Sequence, residues 1–335
     1  MFSMKSIAVT LVMMLIIATP SIILAAVEGS STGTFTVSNA APSVSSVALW
    51  STGTSAAASS SMTPQVQYNV KVAVTDNNSL NDLSTVKVYL YYDADGTYNT
   101  GSRPASGNTQ NCAILNWANS GSWSMDPNAS TTWSVVSGSC TQPSLTGSSG
   151  TFEFNFIPGK VTTESPGAGE WHIYAVADDG TTTGDNYQED REVDWYGEIS
   201  TLSGTTSFGS VVLGCTGSPS GAVSATYIAN GAYDEQVKSD ASWVGQTSSG
   251  TIALNTSGTS PGSAEFSLTA DDDATQADSV QVLSAGYTSI DESGTQTSES
   301  GDTQANNTMW LWLGSTGIIP EEYQGTINYQ IINGS

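Results

Sequence analysis

What most constrains the fold of this chain is a period of two. In Tyr68–Thr75, Val70, Val72 and Val74 alternate with Asn69 and Lys71. In Val86–Tyr92, Val86, Val88 and Leu90 oppose Lys87, Tyr89 and Tyr91. Phe152, Phe154 and Phe156 alternate with Glu153 and Asn155, and Trp171, Ile173, Ala175 and Ala177 share a face opposite His172 and Tyr174. Side chains of a strand point alternately to its two faces, so each run fits a strand with one face buried and one wet. Clusters of Gly, Asn, Asp and Pro separate the runs, as turns require. Helical periodicity is nearly absent after residue 26. The expected fold is all-β: two consecutive Ig-like or fibronectin-like β-sandwich domains.

The N-terminus reads differently. Lys5 precedes an apolar run, Ile7–Ala26, that ends in two small residues. This pattern predicts a secretory signal peptide over residues 1–26. The alternative is an uncleaved anchor, because 20 apolar residues can just cross a bilayer. No second such run follows, so no membrane span is expected after cleavage, and the expected location is extracellular or at the cell surface. Residues 27–41 read as an extended N-terminal arm in which Phe35 and Val37 alternate, an assembly arm able to add as a strand to a sheet edge. The first sandwich is expected over 42–200, with a long polar insertion at about 97–150. The stretch Ser200–Thr205 reads as a linker, and the second sandwich as 201–335, opening with a strand at Phe208–Leu213.

The formal net charge is −24, from 7 basic and 31 acidic residues. Nucleic acid is excluded as a partner, because phosphate binding needs clustered Lys and Arg. Acids concentrate in turns, which suits calcium, a cation that takes oxygen ligands. It is the one cofactor the sequence raises, with Asp178, Asp179 and Asp185 as the favoured set and Asp93 and Asp95 as a second. The segments holding Asp76 with Asp82, and Asp271–Asp273, are further acidic strand ends. Hydrogen bonding within turns explains the same residues without any ion. Cys112 and Cys140 are the preferred disulfide of an exported chain with three cysteines. Trp117, Trp123 and Trp133, in the polar insertion, are candidates for a surface that stacks on sugars. Asn77, Asn128, Asn255, Asn306 and Asn333 each begin an N-x-[ST] sequon and are candidate glycosylation sites. The single histidine, His172, is read as a surface or interface residue; a Ser–His–Asp triad would have to use it. No catalytic residue is assigned, and no enzyme activity is expected.

The segment "MWLWLGSTGIIPEEYQGTINYQIIN" resembles the closing strands of secreted β-sandwich proteins on archaeal and Gram-positive surfaces, and is similar to the WxL cell-wall domain. "NAAPSVSSVAL" and "VAVTDNNSLNDLSTVKVYLYYD" resemble Ig-like repeats of surface proteins from methanogenic archaea. The resemblance implies a surface-layer, sheath or filament subunit and transfers no catalytic residue. Joined to the exported all-β pattern, it leads to the expectation of a structural subunit polymerising with copies of itself by strand addition. The alternative is a secreted adhesin or carbohydrate-binding module using the Trp-rich insertion.

Overall fold

The computed structural model describes residues 29–334 except 53–59, 100, 102, 128–132 and 168. The expected signal peptide and Asn128 lie outside the described residues. The chain divides into a segment ending at Asn39 and a compact unit, Ala40–Ser335. In the first, Gly29–Asn39 carries no strand or helix and every residue is exposed, Phe35 at 89% and Val37 at 73%.

The compact unit is built of strands; among the described residues the helical elements are two short 3-10 turns, Leu80–Asp82 and Ser137–Ser139. Its first ten strands are β1 (Ser43–Ser51), β2 (Ser61–Met62), β3 (Tyr68–Thr75), β4 (Thr85–Tyr92), β5 (Cys112–Ala118), β6 (Trp123–Asp126), β7 (Ser134–Val135), β8 (Ser149–Ile157), β9 (Trp171–Asp178) and β10 (Thr183–Val193). They form two sheets, β1-β3-β8-β7 and β2-β10-β9-β4-β5-β6. This is the strand order of a variable-type immunoglobulin sandwich, ABED against GFCC′C″, with β2 as an extra short strand parallel to β10. The alternating residues of the facing sheets meet in one core, including Val70, Val72, Val88, Leu90, Phe154 and Ile173.

The expected insertion is therefore part of the sandwich. Residues 97–150 supply β5 and β6, which extend the sheet beyond β4, and β7, which pairs with β8. Its tryptophans are core residues. Trp117 and Trp133 are buried, the first against Phe152 and the second against Phe156 and Trp171. Their indole N–H groups donate to Gln142 Oε1 at 2.7 Å and to the Thr109 carbonyl at 3.0 Å. Trp123 is half-buried, edge-on to Phe154. A buried Trp needs a partner for its N–H, and Gln142 and Thr109, distant in sequence from the rings they serve, supply it.

The expected Cys112–Cys140 bridge is not formed; both are free thiols, as is Cys215. Cys112 lies on β5, packed with Tyr91, Ile114 and Tyr174, whereas Cys140 sits beside β8 in the other sheet, its Sγ against Asn155 N at 3.2 Å. Burial pushes the Cys112 thiol up to about 12. Cys112 is expected to resist iodoacetamide at pH 8 in the native protein, and all three thiols to react once the chain is unfolded. Mass spectrometry of the alkylated chain checks this, and rapid native labelling of Cys112 would contradict it.

The second set comprises β11 (Gly197–Ser203), β12 (Ser218–Pro219), β13 (Val223–Ala229), β14 (Tyr233–Ser239), β15 (Ser242–Gly245), β16 (Thr251–Leu254), β17 (Glu265–Asp271), β18 (Val280–Gln281), β19 (Thr288–Gly294), β20 (Asp302–Leu313), β21 (Tyr323–Gln324) and β22 (Ile327–Asn333). Nine form one sheet, whose main path is β11-β13-β20-β17-β16-β15-β21; the others form a three-stranded sheet, β19-β14-β22. Trp243, Phe266, Leu268 and Leu311 from the large sheet meet Val237 and Ile290 from the small one. Phe208–Leu213, expected as a strand, is irregular.

Ser200–Ser203 also departs from expectation. It belongs to β11, which pairs with β13, so only Asp194–Tyr196 separates the last strand of one set from the first of the next. The two sandwiches are joined by a network around Asn230. Its side-chain Nδ2 donates to the carbonyls of Thr162 and Asp194, both at 2.9 Å, and its Oδ1 accepts from Tyr196 N at 2.6 Å. Its backbone N–H donates to Tyr196 O and its carbonyl accepts from Glu164 N. Gln296 Nε2 donates to Val161 O at 2.9 Å and Lys160 pairs with Glu198 at 2.6 Å. The loop between β8 and β9 is thus held by the second sandwich, which makes the junction stiff where the sequence suggested a linker.

Candidate functional site

The core of the second sandwich is left open on one side. A groove of about 1080 Å³ runs between its sheets, with Trp243, Phe266 and Leu313 in its wall, Tyr329 of β22 beside it, and Leu202 and Ile319 at the lip. That volume is at or above the upper end of ordinary small-molecule pockets, ~300–1,000 Å³. Leu202 and Ile319 are about half exposed, at 51% and 53%. The irregular segment after β11 crosses this opening without closing it, leaving Val212 and Leu213 exposed. Among the described residues β22 pairs with β14 alone, with β11 packed nearby at Gly197, and its residues are half-buried or exposed along its whole length. An apolar groove beside an unpaired strand is a site at which another strand can add.

Behind this groove lies a buried polar network. Glu235 of β14 is fully buried and accepts hydrogen bonds from the Tyr227 hydroxyl and from Asn307 Nδ2, both across the sandwich; Oε2 has no partner among the described residues. Burial raises its carboxyl to about 7, with the two hydrogen bonds working in the opposite direction. A carboxyl held above its ordinary value of 4.5 favours the folded state fully below that value, and the advantage is lost as pH rises through 7. The second sandwich is therefore expected to lose about 3 kcal/mol of stability between pH 4.5 and 8. Glu235→Gln should flatten that slope, as denaturant unfolding at a series of pH values would show. An unchanged slope would contradict it.

The acidic residues expected to form one calcium set are dispersed. Thr85 pairs with Asp178 at one end of the β4–β9 ladder and Tyr92 with Trp171 at the other. Asp93 and Asp95, beyond Tyr92, therefore lie roughly 24 Å from Asp178, at ~3.4 Å per residue. Asp185 hydrogen-bonds the Tyr174 hydroxyl on the sheet's outer face. Asp178 accepts from Gly180 N at 2.7 Å and Asp95 from Thr97 N at 2.8 Å, as in ordinary turns. Asp179 instead joins Asp76 and Asp82, with one carboxylate oxygen from each within 4.8 Å of the other two. A second trio is Asp271, Asp273 and Asp278.

His172 is a buried residue and not the expected surface histidine. It packs between Tyr91 and Tyr98, and among the described residues neither ring nitrogen has a hydrogen-bond partner. Burial lowers its pKa. Around it, Tyr98 stacks on Tyr187 at 3.7 Å and Arg103 lies over Tyr174 at 4.1 Å.

Among the sequons, Asn77 and Asn306 are exposed. Asn255 uses its Nδ2 on Gly258 O and Ser267 Oγ, and Asn333 uses its Nδ2 on Glu164. No helix among the described residues is long and apolar enough to cross a membrane.

No family model matches the chain. No curated protein sequence matches it either. Among solved structures it is similar to the 35 kDa C-terminal fragment of the major pilin GBS80 of Streptococcus agalactiae, at 9% identity over 85% of this chain and 90% of that one, with a TM-score of 0.20. A likeness at that level carries no argument about fold or function, and the archaeal link drawn from sequence finds no support in these comparisons.

Proposed function

We propose that this chain is a structural subunit of an extracellular assembly, in which the arm Gly29–Asn39 of one copy adds as a strand along β22 of the next and places Phe35 and Val37 in the groove. The observation that carries this reading is the presence, in one chain, of an open apolar groove beside an unpaired strand and an exposed arm with two alternating large apolar residues. The dimensions agree. Eleven extended residues reach roughly 36 Å, and the seven of β22 span roughly 23 Å, at ~3.3 Å per residue. The charges agree as well. Gly29–Asn39 contains no charged residue, so it can enter a groove of a strongly acidic chain without repulsion.

Such a contact is head-to-tail. It propagates into a filament, sheath or layer unless rotation closes it into a ring. Burial of Trp117 and Trp133 with their indole N–H groups satisfied speaks against the sugar-stacking alternative, which keeps half-buried Trp123. Glycans on Asn77 and Asn306 belong to the same proposal as surface modifications. The test is the double variant Phe35→Asp/Val37→Asp in the chain beginning at Gly29. It is expected to stay monomeric by light scattering where the parent polymerises. Polymers of unchanged length from that variant would overturn the proposal.

A further inference from the structure

We infer that the loop end of the first sandwich carries a calcium site formed by Asp76 and Asp82 of the β3–β4 loop and Asp179 of the β9–β10 loop. These are the B–C and F–G loops of the variable-type sandwich, the end at which such domains present their binding loops. The antiparallel pairing of β4 with β9 brings them together, because Thr85 lies opposite Asp178. One carboxylate oxygen from each residue lies within 4.8 Å of the other two. Oxygens that close can share one ion, and oxygen bonds of about 2.4 Å are within calcium's range of 2.3–2.6 Å.

The trio alone is an acidic cluster, and such clusters are common. Asp76 distinguishes this one. It is fully buried, its Oδ1 accepts from Asn78 N at 2.8 Å, and its Oδ2 has no hydrogen-bond partner among the described residues. An ionised carboxylate buried with an unsatisfied oxygen is costly unless a cation or donor completes it. The second trio, Asp271, Asp273 and Asp278, has no orphaned buried oxygen among the described residues.

The loop holding Asp76 is also built to stay in place. Ser79 Oγ donates to Leu145 O at 2.8 Å, Leu80 N to Gly147 O at 2.8 Å, and Asn119 Nδ2 to Asn81 O at 2.9 Å. Asn78 Oδ1 accepts from Ala40 N at 2.6 Å, at the first residue of the compact unit. An ion held here would therefore stiffen the point at which the arm leaves the sandwich.

The test uses the Phe35→Asp/Val37→Asp chain as its parent, monomeric whether or not the assembly proposal holds, so it stands or falls apart from that proposal. Thermal unfolding is followed in EDTA and in calcium chloride. Calcium at ~100 times its Kd should raise the melting temperature by roughly 5–10 °C, with one ion bound by calorimetric titration. Asp82→Asn, at an exposed position, should fold normally and lose most of that shift. Asp76→Asn should lose it too and, in EDTA, be at least as stable as the parent, because the amide relieves a buried charge. Asp273→Asn should keep the full shift. No calcium response in the parent would overturn the assignment, as would a response that survives in both Asp76→Asn and Asp82→Asn or vanishes in Asp273→Asn.

Discussion

Asn230→Ala is expected to uncouple the two sandwiches. The side chain makes three hydrogen bonds, a buried one to Thr162 O and two part-buried ones with Asp194 O and Tyr196 N, that tie the β8–β9 loop, the three-residue connection and β13 together. Removing it orphans the Thr162 carbonyl in the interior and leaves Asp194 O and Tyr196 N to be met in part by water. An orphaned buried group costs ~1–3 kcal/mol, so the junction should weaken by roughly that amount. Each sandwich has its own core and is not dismantled by the change. Calorimetry should therefore show one cooperative transition in the parent and two in the variant. Asn230→Asp, which keeps the acceptor for Tyr196 and loses the donors, should fall between them. A single transition at the parent's temperature in Asn230→Ala would show that the contact between the sandwiches does not depend on this residue.

The second large effect concerns length. In a head-to-tail polymer, a subunit with a groove and no arm can be added at one end only and then blocks that end. The compact unit Ala40–Ser335 is such a subunit. Mixed at about one part in ten with the parent, it should cut the mean filament to roughly ten subunits, since each chain grows until it meets one terminator. Ile319→Lys at the groove lip, combined with arm deletion, should remove the terminating effect, because the exposed lysine blocks entry to the groove without touching the core. Filament lengths from electron micrographs at several mixing ratios decide this. Lengths independent of the armless fraction would contradict head-to-tail strand addition.

β3 and β8 were legible in the sequence because one side meets the core and the other is in part open to solvent. β9 was legible as well, because polar or amphipathic His172 and Tyr174 alternate with its core residues although they too are buried. β5 hides its period. Cys112, Ala113, Ile114 and Leu115 are all buried, one face in the main core and the other under Tyr91 and Tyr174. β11 fails for the opposite reason: as a sheet edge it is half-buried or exposed throughout and reads as a linker. Trp117 and Trp133 were misplaced because the groups that satisfy their indole N–H, Gln142 and the Thr109 carbonyl, lie far along the chain and leave no mark beside the rings.

The acidic loops were visible as motifs, and Asp76, Asp82 and Asp179 each stood out at a strand end. Their union depends on β4 lying beside β9, a contact between residues some 90 positions apart that no local pattern records. The arm was legible through Phe35 and Val37. The groove was not, since it is made by a sheet that lacks a neighbour, and absence of a neighbour leaves no trace in a strand's own alternation.

The most direct measurement is binding of a fluorescent peptide with the sequence of Gly29–Asn39 to the purified unit Ala40–Ser335, followed by anisotropy and by Trp243 emission. Saturable binding with one peptide per unit, lost in Ile319→Lys and in a peptide carrying Asp at the positions of Phe35 and Val37, is the predicted result. A peptide that stays free at every concentration of a folded unit would contradict the claim that one copy completes the next.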